Sequence, residues 1–359
     1  MSGFSDPPIA KAVYAPSGPS APVFVPSSSA STIDPLPAIT SLHPSFPPGL
    51  LSCFARSSAA FSERHWIVDN SGSMATADGR EIVEVGGRHR EVPCTRWQEL
   101  TSSLTWHGSL SANTLSPVTF RLLNNPGGGA DQTLSLGLGD PASELDRLRR
   151  LTSSTPCSTT PLCRAIASFH QHLLSSLPSL TASGTRALLV IASDGASSDG
   201  DVAAALRPLR DLPVWVVVRL CTDDDSVVDY WNSIDNELEL DMDVLDDLSG
   251  EAKEITDLNP WLNYGLPLHR LREWGAVSKE FDLLDERAFN SVEVQAILKL
   301  LLGVELPHPE VDYDEFEAQL VASLKEVGDV YDPLKKRMAP WVDVGKLRRS
   351  LGKGGCVIS

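Results

Sequence analysis

Apolar residues recur along this chain at two different spacings, and these spacings predict the elements of the fold. Two runs, 186–195 (RALLVIASDG) and 212–220 (LPVWVVVRL), are apolar at nearly every position, which is typical of strands buried on both faces of a parallel sheet. Shorter apolar runs at 64–69 and 116–123 predict two further strands. Elsewhere, as over 97–104, apolar residues follow the helical spacing. Strands that alternate with helices predict a doubly wound, Rossmann-like α/β fold with a mostly parallel sheet flanked by helices.

Proline and glycine mark the ends of some of the predicted helices. Pro161 suits the first turn of a helix over 161–180, because proline lacks the amide hydrogen that this position leaves unbonded. The last helix of the predicted domain is expected over 288–303, and Gly303 is expected to end it. A further helix is expected over 142–151, where acidic residues favour the first turn.

Composition divides the chain into three parts. Residues 1–58 are rich in Pro, Ser and Ala and carry almost no charge, so a disordered tail is expected there. Residues 59–305 form the predicted α/β domain. Within it, 222–305 is an extension with an acidic beginning and no assigned role, in which apolar residues such as Leu245 are spaced as in helices with solvated acidic faces. Residues 306–359 are expected to be a disordered C-terminal tail that becomes basic.

The charge balance and the cysteines narrow the class of protein. The formal net charge of −17 argues against nucleic acid as a partner, since phosphate binding needs clustered Lys and Arg. Six scattered cysteines without a Cys-x-x-Cys pair predict neither a disulfide framework nor a zinc site. No secretory signal and no apolar run long enough for a membrane span is evident. The expectation is an intracellular protein with reduced thiols.

Oxygen-bearing side chains follow the predicted strands at positions that an open α/β sheet would bring together. Asp69, Ser71 and Ser73 come directly after the first strand, and Asp194 follows the strand over 186–192. Thr160 stands just before the long helix. Because such a sheet binds ligands at the carboxyl ends of its strands, these residues are the candidate site. Carboxylates and hydroxyls are hard ligands, so the pattern predicts Mg²⁺ or Mn²⁺.

The combination of three motifs resembles the metal-ion-dependent adhesion site of von Willebrand factor A domains. The motifs are Asp-x-Ser-x-Ser after a buried strand, Thr-Pro-Leu opening a helix, and Asp-Gly ending a later strand. All five positions of the family pattern are filled in chain order, and the similarity covers roughly 61–305. The region after Cys221 is longer and more acidic than a minimal domain of this family needs.

The resemblance implies a role for each of the five residues. Ser71 and Ser73 would bind the metal directly, and Thr160 would do so when a ligand is engaged. Asp69 and Asp194 would act largely through bound water. An acidic side chain of a protein partner would complete the coordination sphere, so the expected function is metal-dependent protein binding and not catalysis.

Enzymatic interpretations lack some of their usual parts. An Asp69 nucleophile, as in haloacid dehalogenase-like enzymes, needs a second acid two residues on, where this chain has Ser71. Neither a phosphate-binding P-loop nor a Gly-x-Ser-x-Gly motif occurs. Two alternatives stay open: a metal-dependent hydrolase or phosphotransferase that uses the Asp69 loop, and a scaffold whose metal site is vestigial. Four histidines are interpreted as surface or structural residues: His65, His107, His170 and His172.

The last four residues, Cys356-Val357-Ile358-Ser359, match a prenylation box whose terminal Ser favours farnesyl. A single lipid anchors weakly, so a second signal is expected beside it. Basic residues that would contact an anionic membrane precede the box: Lys346, Arg348, Arg349 and Lys353. The sequence therefore predicts a peripheral protein that is held on a cytoplasmic membrane face by a lipid.

Overall fold

The computed structural model describes residues 46–222, 224–238, 240–276 and 278–352. Within these ranges the strands are, in chain order, β1 (Phe61–Val68), β2 (Gly79–Val85), β3 (Arg88–Cys94), β4 (Val118–Leu122), β5 (Thr133–Leu136), β6 (Arg186–Ser193), β7 (Val214–Leu220), β8 (Met242–Leu245), β9 (Asp329–Asp332) and β10 (Arg337–Pro340). Six of them form one sheet in the order β5-β4-β1-β6-β7-β8. Only β5, at one edge, runs antiparallel to its neighbour in this sheet. The predicted fold class is confirmed.

Helices flank the sheet. In chain order they are α1 (Pro48–Ala60), α2 (Arg96–Thr114), α3 (Pro141–Thr152), α4 (Leu162–Ser183), α5 (Val202–Leu206), α6 (Asp225–Leu238), α7 (Leu248–Leu258), α8 (Leu266–Glu273), α9 (Lys279–Asp282), α10 (Ser291–Leu302), α11 (Tyr313–Val327) and α12 (Val344–Ser350). Short 3₁₀ turns lie at Gly72–Ala75 and Arg207–Leu209. Gly303 ends α10, as the sequence predicted, and Pro161 stands at the N-cap position of α4, one residue before the first turn in which it was expected.

The sheet is covered on both faces because its central strands are apolar at successive positions. Successive side chains of a strand point to opposite faces. On β1, Ile67 packs in the cluster that contains Phe169 of α4, whereas Trp66 and Val68 pack in the cluster that contains Leu100 of α2. All five are nearly or fully buried, and each such side chain contributes about 1.5–3 kcal/mol relative to exposure.

The folded part of the chain extends past both boundaries expected from the sequence. At its N-terminal side α1 buries Leu50 and Phe54 completely, although residues up to 58 were expected to belong to a disordered tail. At its C-terminal side α11, β9, α12 and the residues that directly follow β10 pack in the same cluster, which includes Phe316, Leu320 and Trp341. The N-terminal segment carries little charge and the C-terminal segment begins with polar residues, so their composition did not indicate that they contribute to the core. Their apolar residues meet only in the tertiary structure.

The outer ends of the two expected tails lie outside the described residues, and part of the basic segment is folded. Residues 1–45 and 353–359, with Lys353 and Cys356, are not described. Lys346, Arg348 and Arg349 lie on α12, and the Arg348 Nη2 donates to Glu317 Oε2 of α11 at 2.8 Å. These three basic residues are thus presented by a packed helix and not by a flexible tail.

The acidic extension completes the sheet and also forms helices. The segment around Leu245 was expected to be helical, but Met242–Leu245 is β8, the edge strand beside β7. Four residues are too few for a helical and a strand spacing to be told apart, and pairing with β7 decides the outcome. Arg272 of α8, which is fully buried, gathers acidic side chains of this region. It donates to Asp243 of β8 at 2.9 Å, to Asp285 at 3.0 Å, and to Glu251 of α7.

Among the residues that the structure describes, none of the helices is both long and apolar enough to cross a membrane.

Candidate metal site

The candidate residues lie where the strand order of the sheet reverses. From β1 the chain continues to β4 on one side, and it later returns to β6 on the other side of β1. In open α/β sheets the crevice at such a switch point, outside the carboxyl ends of the strands, is the usual place for a ligand. Asp69 directly follows β1 and Asp194 directly follows β6, so the topology alone places both carboxylates at this crevice.

Asp69 is fully buried and fixes the conformation of the loop after β1. Its amide donates to the carbonyl of Ala192 at 2.9 Å, which extends the pairing with β6 by one residue. Its Oδ1 accepts from the Ser71 amide at 2.8 Å, and its Oδ2 accepts from the Ser193 hydroxyl at 2.6 Å. Burial raises the pKa of the Asp69 carboxyl, although the hydrogen bonds from Ser193 and Ser71 oppose the rise.

Ser71, Ser73 and Asp194 form a continuous series of oxygen atoms beside Asp69. The Ser71 and Ser73 hydroxyl oxygens lie 3.0 Å apart, and the Ser73 hydroxyl donates to Asp194 Oδ1 at 2.9 Å. Neighbouring oxygens around an octahedral Mg²⁺ with bonds of 2.0–2.1 Å lie about 2.9 Å apart. The spacing and the donor set therefore fit this ion. Ser73 is exposed, whereas Asp69 and Ser71 are buried, so the series opens to solvent on one side.

The loop that carries Thr160 is fixed against the other two loops through its backbone. The Gly72 amide donates to the Ser158 carbonyl at 3.1 Å, and the Ser198 amide donates to the Thr160 carbonyl at 2.8 Å. Thr160 is thus joined to the segment after Asp194, and its neighbour Ser158 is joined to the Asp69 loop. The half-buried Thr160 side chain stands in the loop between them.

Arg96, at the start of α2, also belongs to this site and was not predicted from the sequence. Its Nη1 donates to Asp194 Oδ2 at 2.9 Å, and its Nε and Nη2 bind the two oxygens of Asp78 at 2.8 and 2.6 Å. This guanidinium lowers the pKa of Asp78. The positive charge of Arg96 partly offsets the negative charges of Asp78 and Asp194. The other oxygen of Asp194, Oδ1, accepts from the Ser73 hydroxyl.

The β2–β3 hairpin explains why Asp78 and Arg96 meet. Gly79 pairs with Cys94, so the residues that flank the hairpin are brought together. Its two-residue turn has positive φ at both Gly86 (61°) and Gly87 (72°). Only glycine adopts such values freely, and Gly-Gly between two strands is a recognised hairpin signal. That signal was present in the sequence and could have revealed the hairpin.

The structure brings Asp69, Ser71, Ser73 and Asp194 into one hydrogen-bonded group and places Thr160 in an adjoining loop. Comparison with known proteins adds no family to this description. The chain matches no protein-family model, and it matches none of the curated proteins. The interpretation of the site therefore rests on its residues and their geometry.

Proposed function

We propose that this chain is a protein-binding module of the von Willebrand factor A type that engages an acidic group of its partner through Mg²⁺. One observation carries the proposal. The oxygens of Ser71, Ser73 and Asp194 follow one another at 2.9–3.0 Å at the switch point of the sheet. This is the spacing and the place that a bound divalent cation needs.

The exposure of the site supports binding of a partner. Mg²⁺ is a Lewis acid that prefers six oxygens and keeps water where the protein supplies none. Ser71 and Ser73 offer hydroxyls and Thr160 stands in the adjoining loop, while the exposed position of Ser73 leaves the group open on the side from which a partner's carboxylate would bind. Asp69 is poorly placed as a nucleophile, since it is buried and both of its oxygens accept hydrogen bonds. This favours binding over phosphotransfer.

Replacing Ser71 with Ala should weaken metal binding by at least about 10-fold, because it removes one of the directly placed oxygens. Binding can be measured with Mn²⁺ by electron paramagnetic resonance, with Mg²⁺ as competitor. Ser198→Ala is the matched control. The Ser198 side chain is exposed in the neighbouring loop, and its amide, which binds the Thr160 carbonyl, stays in place.

Equal Mn²⁺ affinity in Ser71→Ala and Ser198→Ala would contradict the proposal and favour a scaffold with a vestigial site. If the metal binds as expected, a pull-down with and without EDTA tests the partner. Proteins retained by the native chain in Mg²⁺ should be released by EDTA and absent from the Ser71→Ala sample. Metal-dependent hydrolysis of phosphate esters, lost in Ser71→Ala, would instead support the enzymatic alternative.

We also propose that a lipid on Cys356 holds this module at a cytoplasmic membrane face. The support is the sequence of the last four residues and the basic residues before them. Replacing Cys356 with Ser should move the protein from the membrane fraction to the soluble fraction of cells, as measured by fractionation and immunoblotting. Ser359→Leu, which changes the preferred lipid but keeps the thiol, should leave the protein in the membrane fraction. An unchanged distribution of Cys356→Ser contradicts the tether.

A further inference from the structure

A second group of metal-ligating side chains lies at the opposite end of β1 from the candidate Mg²⁺ site. Glu63 and His65 are two residues apart on this strand, so their side chains share one face, and His172 of α4 lies beside them. The Nε2 of His172 is 3.0 Å from Glu63 Oε2, and the Nε2 of His65 is 3.4 Å from the same oxygen. All three ligand atoms lie within 4.8 Å of one another.

The two distances to Glu63 Oε2 fit a tetrahedral metal ion. Bonds of 2.0–2.2 Å to nitrogen and oxygen place neighbouring ligand atoms of a tetrahedron roughly 3.3–3.6 Å apart. The His65–Glu63 distance of 3.4 Å lies within this range. The His172–Glu63 distance of 3.0 Å is a hydrogen bond, and it needs to lengthen by only a few tenths of an ångström when a metal replaces the proton.

Two atoms of the group are buried without a hydrogen-bond partner among the described residues. They are Glu63 Oε1 and His65 Nε2. A buried polar atom without a partner is costly, and such atoms in folded proteins usually have a partner or a bound ion. The ring of His65 is also enclosed, with its centroid 5.3 Å from that of Phe169 and 4.5 Å from that of His172. The nitrogen therefore faces the centre of the group and not solvent.

A carboxylate and two imidazoles form a donor set that binds a metal when the imidazoles are neutral. The His172 side chain is 42% exposed, so an ion can enter from solvent and a water molecule can complete its coordination.

We propose that Glu63, His65 and His172 bind a divalent transition metal, Zn²⁺, and thereby join strand β1 to helix α4. Imidazole nitrogens suit Zn²⁺ and disfavour Mg²⁺, which prefers the all-oxygen group at the other end of the strand. Three protein ligands leave the fourth tetrahedral position open to water or to a small anion. The two sites therefore take different ions.

Co²⁺ is the probe for this site, because its tetrahedral complexes absorb visible light strongly and its octahedral ones do not. The full chain, without a histidine tag and stripped with a chelator, should bind one Co²⁺ with tetrahedral bands that Zn²⁺ abolishes. His172→Ala should weaken this binding at least about 100-fold. His172 is partly exposed on α4, so the variant should fold, which circular dichroism can verify.

His170→Ala is the matched control, since His170 lies on the same helix but outside the group. It should bind Co²⁺ as the native chain does, and so should Ser71→Ala, whose defect concerns the other site. The proposal is wrong if the native chain gives only the weak octahedral bands, or if the tetrahedral bands persist in His172→Ala. Thiolate charge-transfer absorption would also overturn it, because it would assign the metal to the free cysteines.

Discussion

Replacing Arg272 with Met should lower the free energy of unfolding by about 3–5 kcal/mol, because it leaves buried carboxylates without their cation. Arg272 is 1% exposed and donates hydrogen bonds to Asp243, Glu251 and Asp285. Glu251 is also 1% exposed. Methionine keeps much of the side-chain length but provides no charge and no donors. Urea denaturation at neutral pH measures the loss.

The dependence of this loss on pH separates the charge effect from a packing effect. Burial already raises the pKa of Glu251 well above its usual value, while Arg272 opposes the rise. Without Arg272 the folded-state pKa rises further, so protonation favours the folded state of the variant. The deficit should then shrink as the pH is lowered through the interval between the folded-state pKa of Glu251 in the native protein and its higher value in the variant, because only the variant takes up the proton there. A deficit that is the same at every pH would mean that packing, not charge, causes it.

Lys253→Met is the control for Arg272→Met. Lys253 of α7 pairs with Asp257 at 3.1 Å, but both side chains are about two-thirds exposed, at 70% and 66%. Exposed ion pairs are screened by water and contribute little. The control should leave the denaturation midpoint unchanged. Comparable losses in the two variants would contradict the central role of Arg272 in the acidic extension.

The central strands of the sheet could be predicted from the sequence, whereas the edge strand β8 and the contacts of Arg272 could not. The buried strands β6 and β7 are long apolar runs, and their spacing alone predicted a parallel sheet covered on both faces. The four residues of β8 have no such pattern, since partner strand and burial decide their conformation. Similarly, no local spacing in the sequence indicates that Arg272 meets acids 13 to 29 residues away.

The two candidate metal sites also differ in how far they could be predicted from the sequence. Asp69 and Asp194 could be predicted to meet, because both follow strands of a doubly wound sheet and the topology fixes where those strands end. The meeting of His65 with His172 depends on how α4 packs over β1, which the sequence does not specify. His65 and Glu63 are two residues apart on one strand, so their side chains share a face. This spacing was the only signal of the second site in the sequence.

Replacing Gly49 with Ala should destabilise the protein by at least about 1–3 kcal/mol, because the two helices α1 and α10 cross with their backbones in contact at this position. A Cβ added at Gly49 would lie 2.3 Å from the Leu300 carbonyl oxygen and 2.5 Å from the Gly303 amide nitrogen. Both atoms are backbone, so neither can move aside as a flexible side chain would. The helices must separate, which exposes apolar residues of α1 such as Leu50. Thermal or urea denaturation measures the effect.

Gly345→Ala provides an unusually close control. Gly345 and Gly49 are each the second residue of a helix, but a Cβ at Gly345 would meet only Asp343 Oδ1, at 3.5 Å. Alanine is the better helix former, so Gly345→Ala should stabilise the protein by about 0.4–1 kcal/mol. The opposite signs of the two changes also test the boundary of the folded part. If residues 1–58 were a disordered tail, as their composition indicated, Gly49→Ala would leave the stability unchanged, because no helix would face it.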